Sequence, residues 1–302
     1  MAVHKVLVAG EWRPSSGSAT FSAENPSTRQ VFDDVFPVSD WAECDAALDA
    51  ADAAAADLRH LPAGQIGQFL ERFADRIEAR ANEICELAYA ETALPVSPRL
   101  ADIELPRTTG QLRTAAAAAR EGSWAAATID TTTGIRSCLV PIGPVCVFGP
   151  NNFPLAFNSV SGGDFASAIA TGNPVIAKAN TSHPATTRQL AEEAHAAVAE
   201  TGLPAATVQL VYRTNHEDGE RLVSDRRVGA TGYTGSRSAG LKLKAAADRA
   251  GKPIYLELSS VNPVVFLSGA LAERFDALVD EYAGSCLLGT GQFCTNPGLV
   301  LL

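Results

Sequence analysis

The segment Val145-Cys146-Val147-Phe148-Gly149-Pro150-Asn151-Asn152-Phe153-Pro154 decides how the chain is read. Four apolar residues in succession, closed by Gly-Pro, describe a short strand buried on both faces and ending in a turn. The same texture recurs downstream. Apolar runs at 175–178, 208–211, 229–233 and 254–258 read as further strands, and helices fit at 163–171, 184–201, 219–224 and 236–250. Alternation of this kind specifies an α/β fold with a doubly wound parallel sheet covered by helices, and it places ligands at the carboxyl ends of the strands.

Upstream, residues 5–36 read as short strands broken by turns at Gly10-Glu11-Trp12 and Asn25-Pro26. Residues 40–121 are Ala-rich with helical period: Ile66, Phe69, Leu70, Phe73 and Ile77 form one apolar stripe, and Pro95, Pro98 and Pro106 punctuate the region. The β-prone stretch 128–140 reads as a hairpin protruding from the body. The last residues, Leu299-Val300-Leu301-Leu302, form an apolar strand. Such a strand either inserts into the existing sheet or awaits partners that should follow it; we favour the second reading and expect a C-terminally truncated domain.

Composition narrows the function. Of 302 residues, 46% are hydrophobic and 19% charged, which suits a well-cored globular protein. A net charge of −10 argues against general nucleic-acid binding. No signal peptide or membrane-length apolar run is present, so the cytoplasm is the expected compartment. Cysteines 44, 85, 138, 146, 286 and 294 form neither a CxxC pair nor a metal-spaced cluster, so most should be small buried hydrophobes and no metal site is expected.

Four segments carry candidate chemistry. Asn152, after Pro150 at the end of the first core strand, is either a turn residue or a polar group aimed at a ligand. Lys178 closes the strand 175–178, where a sheet presents groups to a nucleotide. Gly232-Tyr233-Thr234-Gly235-Ser236 is a strand followed by a helix start, suited to pyrophosphate. It departs from the usual GxGxxG fingerprint, and a well-capped helix closely packed at Gly240 explains it equally. Glu257 interrupts an apolar strand, where a buried carboxylate is costly unless paired or functional, and Cys294 lies in Gly291-Gln292-Phe293-Cys294-Thr295 as a plausible nucleophile.

Together and in order, Asn152-Phe153-Pro154, Lys178, Gly235-Ser236, Glu257-Leu258 and Gly291-Gln292-Phe293-Cys294 resemble the aldehyde dehydrogenase superfamily, from Gly10-Glu11-Trp12 to the last residue. The resemblance implies that family's Rossmann-like fold with an incomplete catalytic domain. Residues 1–127 and 141–253 would form the dinucleotide-binding domain, 128–140 an oligomerisation hairpin, and 254–302 the start of the catalytic domain. It also implies that Cys294 attacks an aldehyde, that Asn152 and the Cys294 backbone N–H hold the oxyanion, that hydride passes to NAD(P), and that Glu257 activates the water that hydrolyses the thioester.

By the same resemblance Lys178 contacts the adenosine ribose and Ser236 the pyrophosphate, with Pro150 and Gly235 beside the cofactor. Thr181 stands where NAD-preferring members often carry Glu, and Arg213 follows a core strand, so NADP is the expected cofactor with NAD as the alternative. Thr181 capping a helix and Arg213 in solvent is the competing reading. Finer texture, such as Ser161-Gly162-Gly163-Asp164 and Ser182-His183-Pro184, is similar to the 2-oxoglutarate semialdehyde (2,5-dioxopentanoate) dehydrogenases and to NADP-linked fatty aldehyde enzymes. The expected partners are a small aldehyde and other copies of the full-length chain. A non-catalytic dinucleotide-binding fragment is the alternative.

Overall fold

A computed structural model describes residues 3–302. Strands β1 (Val6–Val8) and β2 (Glu11–Arg13) open the chain. The turn expected at Gly10-Glu11-Trp12 instead falls at Ala9 and Gly10, both left-handed, so Glu11 and Trp12 are free to pair with β1. Helices α1 (Trp41–Leu58), α2 (Ala63–Ala79), α3 (Ala81–Thr92) and α4 (Leu105–Glu121) follow. The predicted stripe of α2 is buried throughout. Sequence period did not anticipate the wide turns of Val96–Glu104, which join α3 to α4 and carry the buried side chains of Arg99 and Glu104.

The core strands are β3 (Val145–Phe148), β4 (Val175–Lys178), β5 (Val208–Val211), β6 (Ala230–Thr234) and β7 (Ile254–Glu257). Between them run α5 (Gly163–Ala170), α6 (Pro184–Thr201), α7 (His216–Ser224) and α8 (Arg237–Arg249). Helix α7 starts three residues before the predicted position because Asn215 caps it, accepting from the Asp218 N–H at 2.7 Å. The seven-stranded sheet has the order β7-β6-β3-β4-β5-β1-β2. Strands β3 to β7 are parallel, and β1 and β2 close one edge antiparallel.

This order has one consequence for ligands. From β3 the chain winds outward through β4 and β5, then returns to lay β6 on the other side of β3. The crevice outside the carboxyl ends of β3 and β6 is therefore the topological switch point of a doubly wound sheet, where such sheets bind ligands. Strands β3, β4 and β5 are almost wholly buried, which explains their mainly apolar composition; buried Gln209 in β5 is satisfied by the Ala9 N–H and the Ala47 carbonyl.

The expected hairpin is a short exposed ladder of Thr128–Ile129 against Arg136–Ser137. Beyond β7, strand β8 (Pro263–Val265), helix α9 (Ser268–Leu287) and strand β9 (Leu299–Leu301) follow. Strand β9 does not insert into the large sheet. It pairs in parallel with β8 in a separate two-stranded sheet. In this part of the chain Leu267, Phe275 and Leu287 are 70%, 58% and 73% exposed, so large apolar side chains face solvent. No helix among the described residues is long and apolar enough to cross a membrane.

Candidate functional site

Four segments meet at the switch point: the turn after β3, the turn after β6, the end of β7 with the residues that follow it, and the segment before β9. They enclose a cavity of about 420 Å³ lined by Pro150, Asn152, Gly235, Ser236, Glu257 and Cys294, among others. Residues as far apart in sequence as Pro150 and Asn296 are thus brought together. The Asn152 side-chain amide donates to the Gln292 carbonyl at 2.6 Å, which ties the first loop directly to the segment that presents Cys294.

Glu257 is not the buried carboxylate expected from its apolar neighbours. Strand β7 is the edge of the sheet and alternates between half-buried and exposed positions, so Tyr255 and Glu257 both face outward. The energetic argument for its function therefore lapses, and its place beside Cys294 takes over. Cys294 is exposed. By contrast, burial pushes the Cys85 thiol up to about 11 and the Cys44 thiol up to about 12, and raises that of Cys146 as well. Those three are inert packing residues, half of the six rather than the majority expected. Cys138 is also exposed and Cys286 partly so.

A second cleft, about 510 Å³, lies on the other side of the α8 start and is lined by Lys178, Thr181 and Arg213. Gly235 and Ser236 line the first cavity, while Ser238 and Ala239 line the second, so the first turn of α8 borders both. Ser236 is the N-cap of α8, accepting from the Ala239 N–H at 3.4 Å. Gly240 is closely packed, since a Cβ there would stand 2.6 Å from the Leu258 side chain. Thr181 does not cap α6; that position belongs to His183, and the carboxylate of Glu91 instead accepts from the Ala185 and Thr186 N–H groups. Lys178 is half-buried, and burial, helped by the Arg213 charge, lowers its pKa to about 8. Among the described residues no cluster of His, Cys, Asp or Glu suited to a metal ion occurs.

A profile of the "Aldehyde dehydrogenase family" matches residues 12–302. The chain belongs to the aldehyde dehydrogenase family. It is 44% identical over 311 residues to alpha-ketoglutaric semialdehyde dehydrogenase 2 of Azospirillum brasilense, covering 98% of this chain and 58% of that one. It is 35% identical over 308 residues to alpha-ketoglutaric semialdehyde dehydrogenase of Acinetobacter baylyi, covering 98% of this chain and 57% of the relative. Among solved structures it matches lactaldehyde dehydrogenase of Escherichia coli with a TM-score of 0.86 at 25% identity, covering 99% of this chain and 60% of that one. The chain thus spans well under two thirds of the length of these relatives.

What keeps the aldehyde dehydrogenase Asn152 loop in place was not visible in the sequence. Its backbone carbonyls are held one after another: Asn180 donates to Gly149 at 3.1 Å, His183 Nε2 to Pro150 at 2.9 Å, Arg99 to Asn152 at 3.1 Å, and Asn158 to Pro154 at 2.8 Å. Burial, with the Lys178 charge nearby, depresses the His183 pKa to about 4, so the ring stays neutral with its proton on Nε2 for Pro150. Arg99 also pairs with buried Glu104, whose carboxylate accepts from the Leu155 and Ala156 N–H groups at 2.8 and 2.9 Å. Gly149 has to be glycine because a Cβ would approach the Phe157 carbonyl oxygen to 2.7 Å and the Ser159 nitrogen to 2.8 Å, both backbone atoms that cannot rotate away. None of these partners forms a local motif. The contacts of Asn180, His183 and Arg99 with the loop link residues from separate elements, whereas Asn158 bonds within the loop itself.

Proposed function

We propose that this chain carries the nucleophile, oxyanion donor and general base of an enzyme that oxidises an aldehyde to a carboxylic acid with NAD(P). The observation that carries this reading is the shared cavity of Cys294, Asn152 and Glu257 at the sheet's switch point. Cys294 attacks the aldehyde carbon as a thiolate, and the carbonyl oxygen gains negative charge. Asn152 is the side-chain donor suited to that oxygen; in the free site its amide is held by the Gln292 carbonyl, so it exchanges one acceptor for another. Loss of hydride leaves an acyl thioester on Cys294. Glu257 takes a proton from water, the hydroxide adds to the thioester, and the acid leaves as the thiolate is restored.

The chain's residues fit a dinucleotide. The α8 start borders both cavities, with Lys178, Thr181 and Arg213 lining one and Cys294 the other. Backbone N–H groups at such a start suit pyrophosphate. Bound there, the cofactor supplies the hydride acceptor. Its adenosine half falls to Lys178, with Pro150, Gly235 and Ser236 along the remainder. A Thr at 181 brings no charge to repel a 2′-phosphate and Arg213 brings one to attract it, which supports NADP over NAD. The relatives named above support 2,5-dioxopentanoate (alpha-ketoglutaric semialdehyde) as substrate and 2-oxoglutarate as product.

The domain reading follows: 1–127 and 141–253 bind the dinucleotide, the exposed hairpin at 128–140 joins copies of the whole protein into a homo-oligomer, and 254–302 begin the catalytic domain. The function is tested by aldehyde-dependent reduction of NADP, with an aldehyde panel, by the chain completed at its C-terminus to the length of its relatives; no reduction with any aldehyde by that protein defeats it. On the same protein, Arg213→Ala should lower kcat/KM for NADP about 10-fold or more relative to NAD. An unaltered NADP/NAD ratio removes Arg213 from cofactor selection.

Lys178 makes affinity pH-dependent. Its folded pKa, about 8, lies below the ordinary value of 10.5, so its contribution to stability is complete above pH 10.5 and is lost as pH falls through 8. An anion in the cleft has the opposite preference, for the protonated ammonium. Binding of adenosine 2′,5′-bisphosphate should therefore take up a proton near pH 8 and weaken up to roughly tenfold between pH 8 and pH 9. Calorimetry in buffers of different ionisation enthalpy reads both effects, and pH-independent affinity over that range contradicts them.

A further inference from the structure

Beside the nucleophile runs a row of three aromatic rings. Phe293, which precedes Cys294, stacks on Phe153 with centroids 4.9 Å apart, and Phe153 meets Phe157 edge-on, again at 4.9 Å. Two guanidinium groups flank this row and differ in what they hold. Arg99 lies 4.4 Å from the Phe153 centroid and 4.9 Å from that of Phe293, but it is buried, with Nη1 bonded to Glu104 and Nη2 to the Asn152 carbonyl. Arg107, near the start of α4, lies 4.8 Å from the Phe157 centroid and 5.8 Å from that of Phe153. It is exposed, and among the described residues no carboxylate pairs with it. Unlike its neighbour, this fork of donors lies over the rings with no carboxylate accepting from it.

We propose that Arg107 selects aldehydes that carry a carboxylate at the end remote from the reacting carbonyl. The aldehyde end sits at Cys294, the carbon chain lies along Phe153 and Phe157, and the carboxylate forms a charge-assisted pair with Arg107. The inference rests on the aldehyde-oxidising reading and refines it, since 2,5-dioxopentanoate has its carboxylate opposite its aldehyde. A purely apolar tunnel along the same rings would prefer uncharged aldehydes, because stripping water from a carboxylate is costly without a paired cation.

The test compares two aldehydes of equal length, 5-oxopentanoate and pentanal, on the full chain and its Arg107→Met and Arg107→Lys variants. Met preserves the contact with the rings and removes the charge. The ratio of kcat/KM for the carboxylate over the neutral aldehyde should fall about 10- to 100-fold in Arg107→Met, mainly through KM, with an intermediate fall in Arg107→Lys. An unchanged ratio overturns the proposal. A second arm needs no turnover: 2-oxoglutarate should slow iodoacetamide labelling of Cys294 relative to exposed Cys138, and Arg107→Met should abolish that protection. Protection that survives in Arg107→Met overturns the role of Arg107 even if no aldehyde is oxidised, whereas absence of turnover with protection lost counts against the enzyme reading alone.

Discussion

Arg99→Met is expected to destabilise the folded chain by about 3–5 kcal/mol, the usual consequence of removing one partner from a buried ion pair. Glu104 is almost fully buried, and burial already raises its pKa, while Arg99 and the N–H groups of Leu155 and Ala156 act the other way. Without the guanidinium, the carboxyl should take up a proton at a higher pH. The deficit has a definite sign: a carboxyl whose folded pKa is raised contributes its stability below its unfolded value near 4.5, and that contribution is lost as pH rises through the folded one. Urea unfolding at pH 5 and pH 8 should therefore show a larger deficit at pH 8. Arg99→Met with Glu104→Gln should recover part of it, since the amide oxygen still accepts from the loop while carrying no charge. A single variant within 1 kcal/mol of the parent at both pH values would show that the pair does not anchor the loop.

That pair also marks where the sequence stopped being informative. The parallel core was legible because β3, β4 and β5 are buried on both faces and are therefore mainly apolar, with Gln209 the buried polar exception in β5. Asn152, Lys178 and Cys294 stood out because strand ends and glycine-rich turns are short-range signals. Glu257 stood out for a mistaken reason. An apolar run does not distinguish a central strand from an edge strand, and at the edge a carboxylate reaches water without cost. The supports of the Asn152 loop were illegible for another reason. The bonds that Asn180 and His183 make to the loop depend on where β3, β4 and α6 come to lie in space. The division of the ligand residues into two cavities with the α8 start between them was equally a matter of topology.

Cys294→Ser is expected to lower aldehyde oxidation by the full chain on the order of 10⁴-fold or more, because a serine hydroxyl without a dedicated base is a far weaker nucleophile than a thiolate. Loss of activity alone would not distinguish a lost nucleophile from a disturbed site, so Glu257→Gln is the necessary companion. If Glu257 acts only after the acyl group is on sulfur, its amide variant still forms the thioester and stalls there. Steady-state turnover should fall about 10²–10⁴-fold, yet each active site should release one equivalent of NAD(P)H in a burst. Mass spectrometry should then find the acyl group on the peptide containing Cys294, and on neither Cys138 nor Cys286, the other thiols with solvent access. The exposed position of Glu257 at the sheet edge makes this separation reasonable, since its replacement removes no buried pair and leaves the fold intact. A Glu257→Gln protein that turns over at the parental rate would remove the base assignment, and one that shows neither burst nor turnover would place Glu257 before acyl transfer. Both outcomes differ from the Cys294→Ser result, in which no acyl-protein can form, so the two variants together order the steps that their shared cavity only places side by side.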